Sequence, residues 1–338
     1  MCVRFIVRLI PILVFIVGVG SLPHDLHGQT LGSQREAFES ALPIYQATVR
    51  LESKRLKAVG SETMSGVMRQ WIEGFQKVHS GIAFEVDSKG SNNAFPALIR
   101  GQADWGLMSR SPRRSEVAEF KERFGYEPLV IPTAIDLMAV YVHRSNPINQ
   151  ISLPELDAIF SGTRRLGARR RASFWGDFTT EASYQRQPIE CYGRNSVSGT
   201  FEFFQENVLA RGDFGPWVNQ LSSSARVVES VSERPNSIGY SAIVFQSDSV
   251  KPLAIAAERG GKAVEPNSEN AYNGSYPLAR FLYLLLNRDP VQGLSETQTE
   301  FLRFVFSRQG QEVVKKIGFV PLPAEIAEQM LTAALSSP

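Results

Sequence analysis

What most narrows the fold of this chain is one local pattern met three times: a short apolar strand, a turn of glycine and hydroxyl residues, then an apolar run with helical spacing. The turns are Gly60-Ser61-Glu62-Thr63-Met64, Gly90-Ser91-Asn92-Asn93 and Gly193-Arg194-Asn195-Ser196-Val197-Ser198-Gly199-Thr200-Phe201. Such a chain is an α/β protein whose small and hydroxyl residues sit at helix starts. There the first backbone N–H groups have no intrahelical partner and the helix dipole is positive. One such turn is a weak anion signal. Three of them, one carrying an arginine, describe a chain folded to gather several helix N-termini around one tetrahedral anion.

The α/β alternation starts at about Ala58. Met64, Val67, Met68, Trp71, Ile72, Phe75 and Val78 follow amphipathic helix spacing. Residues 82–86 alternate as a strand, residues 95–99 open a helix, and residues 103–108, 129–131 and 137–142 are further strands. A second unit begins near His143. Residues 153–160 read as a helix, 189–192 as a strand running into the third turn, and 201–209 as the helix behind it. Residues 238–240 and 253–256 read as strands, 278–286 as a long buried segment, and 301–314 as one helix.

With 338 residues, 43% hydrophobic and 21% charged, the chain has the proportions of a globular protein, long enough for one large domain or for two lobes that each bury a core. A net charge of +2 gives no argument for nucleic acid as a partner. The basic runs Arg164-Arg165 and Arg169-Arg170-Arg171 fall in a Gly/Ser/Arg-rich loop and read as solvated. Arg4 and Arg8 precede an apolar stretch over residues 9–19, after which small residues lead to Gly28. That stretch falls short of the about 20 apolar residues of a membrane span. A cleaved signal peptide over residues 1–28 is expected, with cleavage near Ser21 as the alternative, and hence a periplasmic location. Residues 29–57 then form an N-terminal extension. Cys2 lies inside the signal, which leaves Cys191 as the only thiol after processing and allows no intramolecular disulfide. With His79 and His143 the only histidines left, neither a metal nor a cofactor is expected.

The first turn offers the hydroxyls of Ser61 and Thr63 and the N–H groups around Met64, and the second offers Ser91. Either could be an ordinary N-cap. The third asks for more than a cap, because Arg194, Ser196, Ser198 and Thr200 surround Gly199, where the backbone can approach closely. An arginine fork gives an oxyanion two parallel charge-assisted bonds.

Taken in order, Gly60-Ser61-Glu62-Thr63-Met64, Lys89-Gly90-Ser91, Gly106-Leu107-Met108-Ser109-Arg110, Tyr192-Gly193-Arg194 through Gly199-Thr200, Ile238-Gly239-Tyr240 and Tyr276-Pro277-Leu278-Ala279-Arg280 closely resemble the phosphate-binding periplasmic proteins of ABC-type phosphate transporters. The resemblance spans residues 58–322. It implies a type II periplasmic-binding-protein fold, with two α/β lobes joined by a two-crossing hinge and the ligand in the cleft between them. The expected lobes are residues 58–140 with 251–334, and residues 141–250. It also implies inorganic phosphate as ligand, the membrane permease of an ABC transporter as partner, a monomer, and no enzymatic activity. By position, Thr63 with the Met64 amide, Ser91, Arg194, Ser198, Gly199 and Thr200 would donate to phosphate, with Ser61 and Ser196 beside them.

One departure bears on specificity. Many relatives carry an aspartate after the strand at residues 103–108, accepting the proton of hydrogen phosphate. Here Ser109 stands there, followed by Arg110. Arg110 is expected as a second guanidinium on the anion, the alternative being a pair with a lobe carboxylate. Asp136 is either the missing acceptor or a structural partner of Arg110. A binder or sensor of sulfate, molybdate or an organophosphate is the neighbouring reading, since sulfate needs donors only. A secreted serine hydrolase is the remote one. It would need His79 or His143 as base, both of which read as boundary residues, and Ser196 and Ser198 stand in the wrong frame for a nucleophile turn.

Overall fold

In the computed structural model, which describes residues 42–336, one long strand carries the chain between two halves. The first half runs β1 (Lys54–Gly60), α1 (Ser65–Gln76), β2 (Ile82–Asp87), a 3-10 turn at Ser91–Asn93 leading into α2 (Ala94–Ile99), β3 (Trp105–Met108) and α3 (Arg114–Phe124). β4 (Leu129–His143) follows. The second half holds β5 (Gln150–Ser152), α4 (Leu153–Phe160), β6 (Glu190–Arg194), α5 (Gly199–Asn207), β7 (Val218–Leu221), α6 (Ser224–Ser232) and β8 (Ser237–Ala242). It closes with β9 (Val250–Pro252), β10 (Ala254–Ala256) and β11 (Ala263–Val264). After α7 (Ser268–Tyr272) the chain re-enters the first half as β12 (Ala279–Leu286), followed by α8 (Glu296–Val305), α9 (Arg308–Ile317) and α10 (Ala324–Leu335).

The main sheet has the order β2-β1-β3-β12-β4-β8-β6-β7, with β9 also on β4. β4 is the shared member. Its residues up to Leu137 pair antiparallel with β12, and from Met138 onward it pairs with β8. Leu137 faces Ala279, and Met138 N donates to the Leu278 carbonyl, so the two crossings between lobes lie side by side. This is the two-lobed arrangement that the sequence implied.

Three expectations shift. The first strand starts at Lys54, and Leu42 and Tyr45 are buried in the core, so the folded unit begins well before residue 58. The return to the first lobe comes at β12 rather than at residue 251, because β9 pairs with the far end of β4 and β10 pairs with β5. The helix expected over residues 301–314 is two helices, broken where the Ser307 hydroxyl caps α9 by accepting from Gly310 N. The expected signal peptide and the first part of the extension lie outside the described residues.

α1 shows why the first turn is held firmly. Val67, Met68, Trp71, Ile72 and Phe75 form its buried face. Each large apolar side chain so buried contributes roughly 1.5–3 kcal/mol. Trp71 also donates its indole N–H to the Gly310 carbonyl at 2.8 Å, which joins α1 to α9.

Candidate functional site

The three turns meet where the lobes face each other. β1 ends at Gly60, and Ser61 N donates to the Leu107 carbonyl at the end of β3. Met64, at the cap position of α1, has helical backbone angles and makes no side-chain cap bond, so neither Ser61 nor Thr63 serves as an ordinary cap. The 3-10 turn opened by Ser91 likewise has no side-chain cap. Ser198 does cap α5, accepting from Thr200 N at 3.1 Å.

Hydroxyls from both lobes then come within reach of one another. Ser61 Oγ donates to Ser109 Oγ at 3.0 Å, and Ser109 N donates to Ser91 Oγ at 3.2 Å. Thr63 Oγ1 lies 3.2 Å from Thr200 Oγ1 of the other lobe. Two glycines allow this approach. A Cβ on Gly199 would stand 2.8 Å from Ser109 Oγ and closer still to Ser91 Oγ. One on Gly90 (φ +129°) would collide with the Val197 carbonyl across the cleft. Ser61, Thr63, Met64, Ser91, Ser109, Ser198, Gly199 and Thr200 are all buried. Ser196 is not. It is exposed at the rim, where its carbonyl accepts from Asn92 Nδ2 at 3.0 Å.

The charged groups divide the expectations. Arg194 is 1% exposed and lies at the end of β6; its Nη1 donates to Glu62 at 2.6 Å and to Ser224 Oγ at 2.7 Å, and its Nη2 donates to the Ser222 carbonyl. Burial draws its pKa down and Glu62 opposes that shift, while an arginine remains a cation at any physiological pH. Its Nε is buried with no hydrogen-bond partner among the described residues.

Arg110 makes the carboxylate pairing given as its alternative role. Its two Nη atoms donate to Glu116 at 2.8 and 2.7 Å, Nη2 also reaches Asn92 Oδ1, and Nε lies 2.7 Å from Glu202 of the other lobe. Every nitrogen of this guanidinium therefore faces an acceptor of the protein itself. Burial would raise the Glu116 pKa, but the hydrogen bonds from Arg110 and the Arg113 amide outweigh it and bring the pKa below its ordinary value.

Asp136 does not pair with Arg110. It is 0% exposed and sits opposite Arg280 in the β4–β12 register, where Arg280 Nε and Nη2 donate to its Oδ2 at 2.9 and 2.7 Å. Burial raises its pKa, opposed by Arg280. Arg280 Nη2 also donates to Thr200 Oγ1 at 3.0 Å, which puts a second guanidinium at the meeting point of the turns. The sequence reading named neither Arg280 nor Glu62 as a candidate, and the fold brings both beside the turns. Both stood in the motifs used above, but nothing local marks the strand pair that sets Arg280 on Asp136.

The histidines are elsewhere. His79 is 7% exposed, not a boundary residue; its Nε2 is 2.7 Å from Tyr45 Oη, which donates to Glu300 at 2.6 Å. His143 Nδ1 meets Ser145 Oγ. Neither bonds Ser196 or Ser198 among the described residues.

The site so described can be set beside known proteins. The profile of the PBP superfamily domain matches residues 43–309. The phosphate-binding protein PstS of Pseudomonas aeruginosa is 41% identical over 87% of this chain and 91% of its own length. That of Staphylococcus saprophyticus is 26% identical over 79% and 80%. Among solved structures, an ABC-type phosphate transport receptor from Vibrio cholerae superposes with a TM-score of 0.62 at 20% identity, covering 79% of this chain and all of that one, which speaks for the fold. By its motifs, its two lobes and these matches, the chain belongs to the phosphate-binding proteins of the PBP superfamily, a family of binding proteins rather than enzymes.

Proposed function

We propose that this protein captures inorganic phosphate between its lobes and hands it, as a periplasmic monomer, to the membrane permease of an ABC transporter. The observation that carries the reading is the meeting of three helix-opening turns. Thr63, Ser91, Ser198, Gly199 and Thr200 come from two lobes and lie within hydrogen-bond reach of one another or nearly so, with Arg194 and Asp136–Arg280 alongside. Hydroxyl and amide donors at helix starts suit a tetrahedral oxyanion. The two arginines each carry their own carboxylate, so the anion would be held by oriented dipoles as much as by net charge. Relatives of the family named for phosphate binding support the choice of anion. Export by residues 1–28 would place the protein where a permease can meet it.

Calorimetry of the protein from residue 29 onward, titrated with phosphate, sulfate and molybdate, tests this. Phosphate should bind, and sulfate should bind at least roughly 10-fold more weakly. Sulfate or molybdate binding more tightly than phosphate would move the assignment to another oxyanion, the outcome that Ser109 in place of an acidic acceptor would favour.

A further inference from the structure

Arg280 stands beside the turns without a role of its own in the functional reading. It is 2% exposed at its side chain, lies next to the second lobe crossing, and reaches Thr200 of the other lobe. Asp136 takes its Nε and Nη2, the Phe203 ring lies 5.3 Å beneath its guanidinium carbon, and Nη1 is buried with no hydrogen-bond partner among the described residues. A buried N–H left unpaired is costly, and the charged ones cost most. Arg110 has both Nη atoms on Glu116 and Asn92 and its Nε in charge contact with Glu202, while Arg194 has both Nη atoms in use and, like Arg280, one buried nitrogen, its Nε, without a hydrogen-bond partner among the described residues. Arg280 alone of the three reaches a hydroxyl of the expected anion-binding turns, that of Thr200.

We propose that Arg280 is a binding residue for the anion, donating through Nη1 while Asp136 fixes the guanidinium and balances its charge. This rests on the phosphate reading and deepens it by naming the residue that stands in for the expected role of Arg110. Arg280 sits at the start of the strand that follows the second crossing between lobes. A bond from it to an anion also held by Thr200 would therefore tie ligand binding to the relative position of the lobes.

The test compares the wild-type protein, Arg280→Lys, and the double variant Arg280→Gln with Asp136→Asn, each titrated with phosphate. The double variant removes both buried charges together, so no carboxylate is left unpaired. It should fold and bind at least roughly 30-fold more weakly than wild type, with Arg280→Lys in between. A folded double variant binding within about threefold of wild type would overturn the proposal and leave the phosphate reading standing. A wild type that binds no phosphate would overturn the phosphate reading itself, and the proposal with it. A crystal structure of the wild-type phosphate complex decides the matter without variants. Nη1 within about 3.2 Å of an anion oxygen supports the assignment, and no Arg280 nitrogen within about 4 Å overturns it.

Discussion

Arg194 is held so closely by Glu62 and Ser224 that its removal affects two things at once. Arg194→Ala deletes a buried donor and leaves the Glu62 carboxylate facing any anion that enters. Truncating one partner of a buried charge pair costs on the order of 2–5 kcal/mol, or roughly 30-fold to several-thousand-fold in affinity. Phosphate binding by calorimetry should fall by that much, and a change below threefold would remove Arg194 from the site. Asp136→Asn strips Arg280 of its counter-charge in a fully buried setting, so unfolding free energy should drop by about 3–5 kcal/mol in urea melts. An unchanged urea midpoint would show that the pair is not structural. Gly199→Ala isolates geometry from charge, since its methyl group would meet the Ser91 and Ser109 hydroxyls only when the lobes are together. Phosphate affinity should fall while thermal stability without ligand barely moves.

At the level of elements, local signals were legible and long-range pairings were not. The helix at residues 153–160 could be read from Leu153, Leu156, Ile159 and Phe160, and it forms there, opened by a Ser152–Glu155 capping box. The three strand–turn–helix units could be read because glycine and hydroxyls interrupt apolar runs at helix starts. β1 was shortened because Lys54, Arg55 and Lys57 hide it, although it lies between β2 and β3 with Leu56 and Ala58 buried. β9, β10 and β11 went to the wrong lobe because strands of two or three residues carry no mark of their partners. Arg280 meets Asp136 only through the return of β12, a pairing of distant segments that no local pattern records. The segment before β1 makes a prediction of its own. Tyr45 Oη donates to Glu300, so His79 donates to it from Nε2, its ring tilted against that of Phe75 with centroids 4.5 Å apart. Burial lowers the His79 pKa, opposed by Glu300. A histidine with a lowered folded pKa stabilises above its unfolded value of about 6.5, and that contribution is lost as pH falls from there through the folded value. The melting temperature should therefore drop between about pH 7 and pH 5.5, and His79→Gln should flatten that part of the profile. Equal slopes in both proteins would place the acid sensitivity elsewhere.

For the molecule as a whole, the contacts across the cleft describe lobes drawn together. Glu62 reaches Arg194 and Ser224, Asn92 reaches the Ser196 carbonyl, and Glu202 lies 2.7 Å from Arg110 and 3.4 Å from Arg113. Most of these bonds are polar and partly exposed, the kind water can replace, so they bring the lobes together weakly by themselves. An anion bonded to Thr63 and Ser91 on one side and to Ser198–Thr200 on the other would add bonds that exist only when the lobes meet. Ligand and closure are then linked, because a ligand shifts an equilibrium by its difference in affinity for the two states. Small-angle scattering should show compaction on adding phosphate, and an unchanged profile at saturation would argue against hinge closure. Glu202→Gln separates the rim contact from the anion site. Arg110 keeps Glu116 when Glu202 is neutralised, so the fold should be undisturbed and no buried charge is stranded. What is lost is one charged contact of the closed form, and phosphate affinity should weaken by roughly 3- to 10-fold through a larger open population. Raising salt should change the gap between wild type and variant little, because Arg110 is 5% and Glu202 21% exposed at the side chain, and a partly buried ion pair is screened far less than one on the surface. If Glu202→Gln binds phosphate as tightly as wild type, the Arg110–Glu202 contact takes no part in closure, and the cleft is held by the anion and the remaining contacts across it, the Glu62–Arg194 pair first among them.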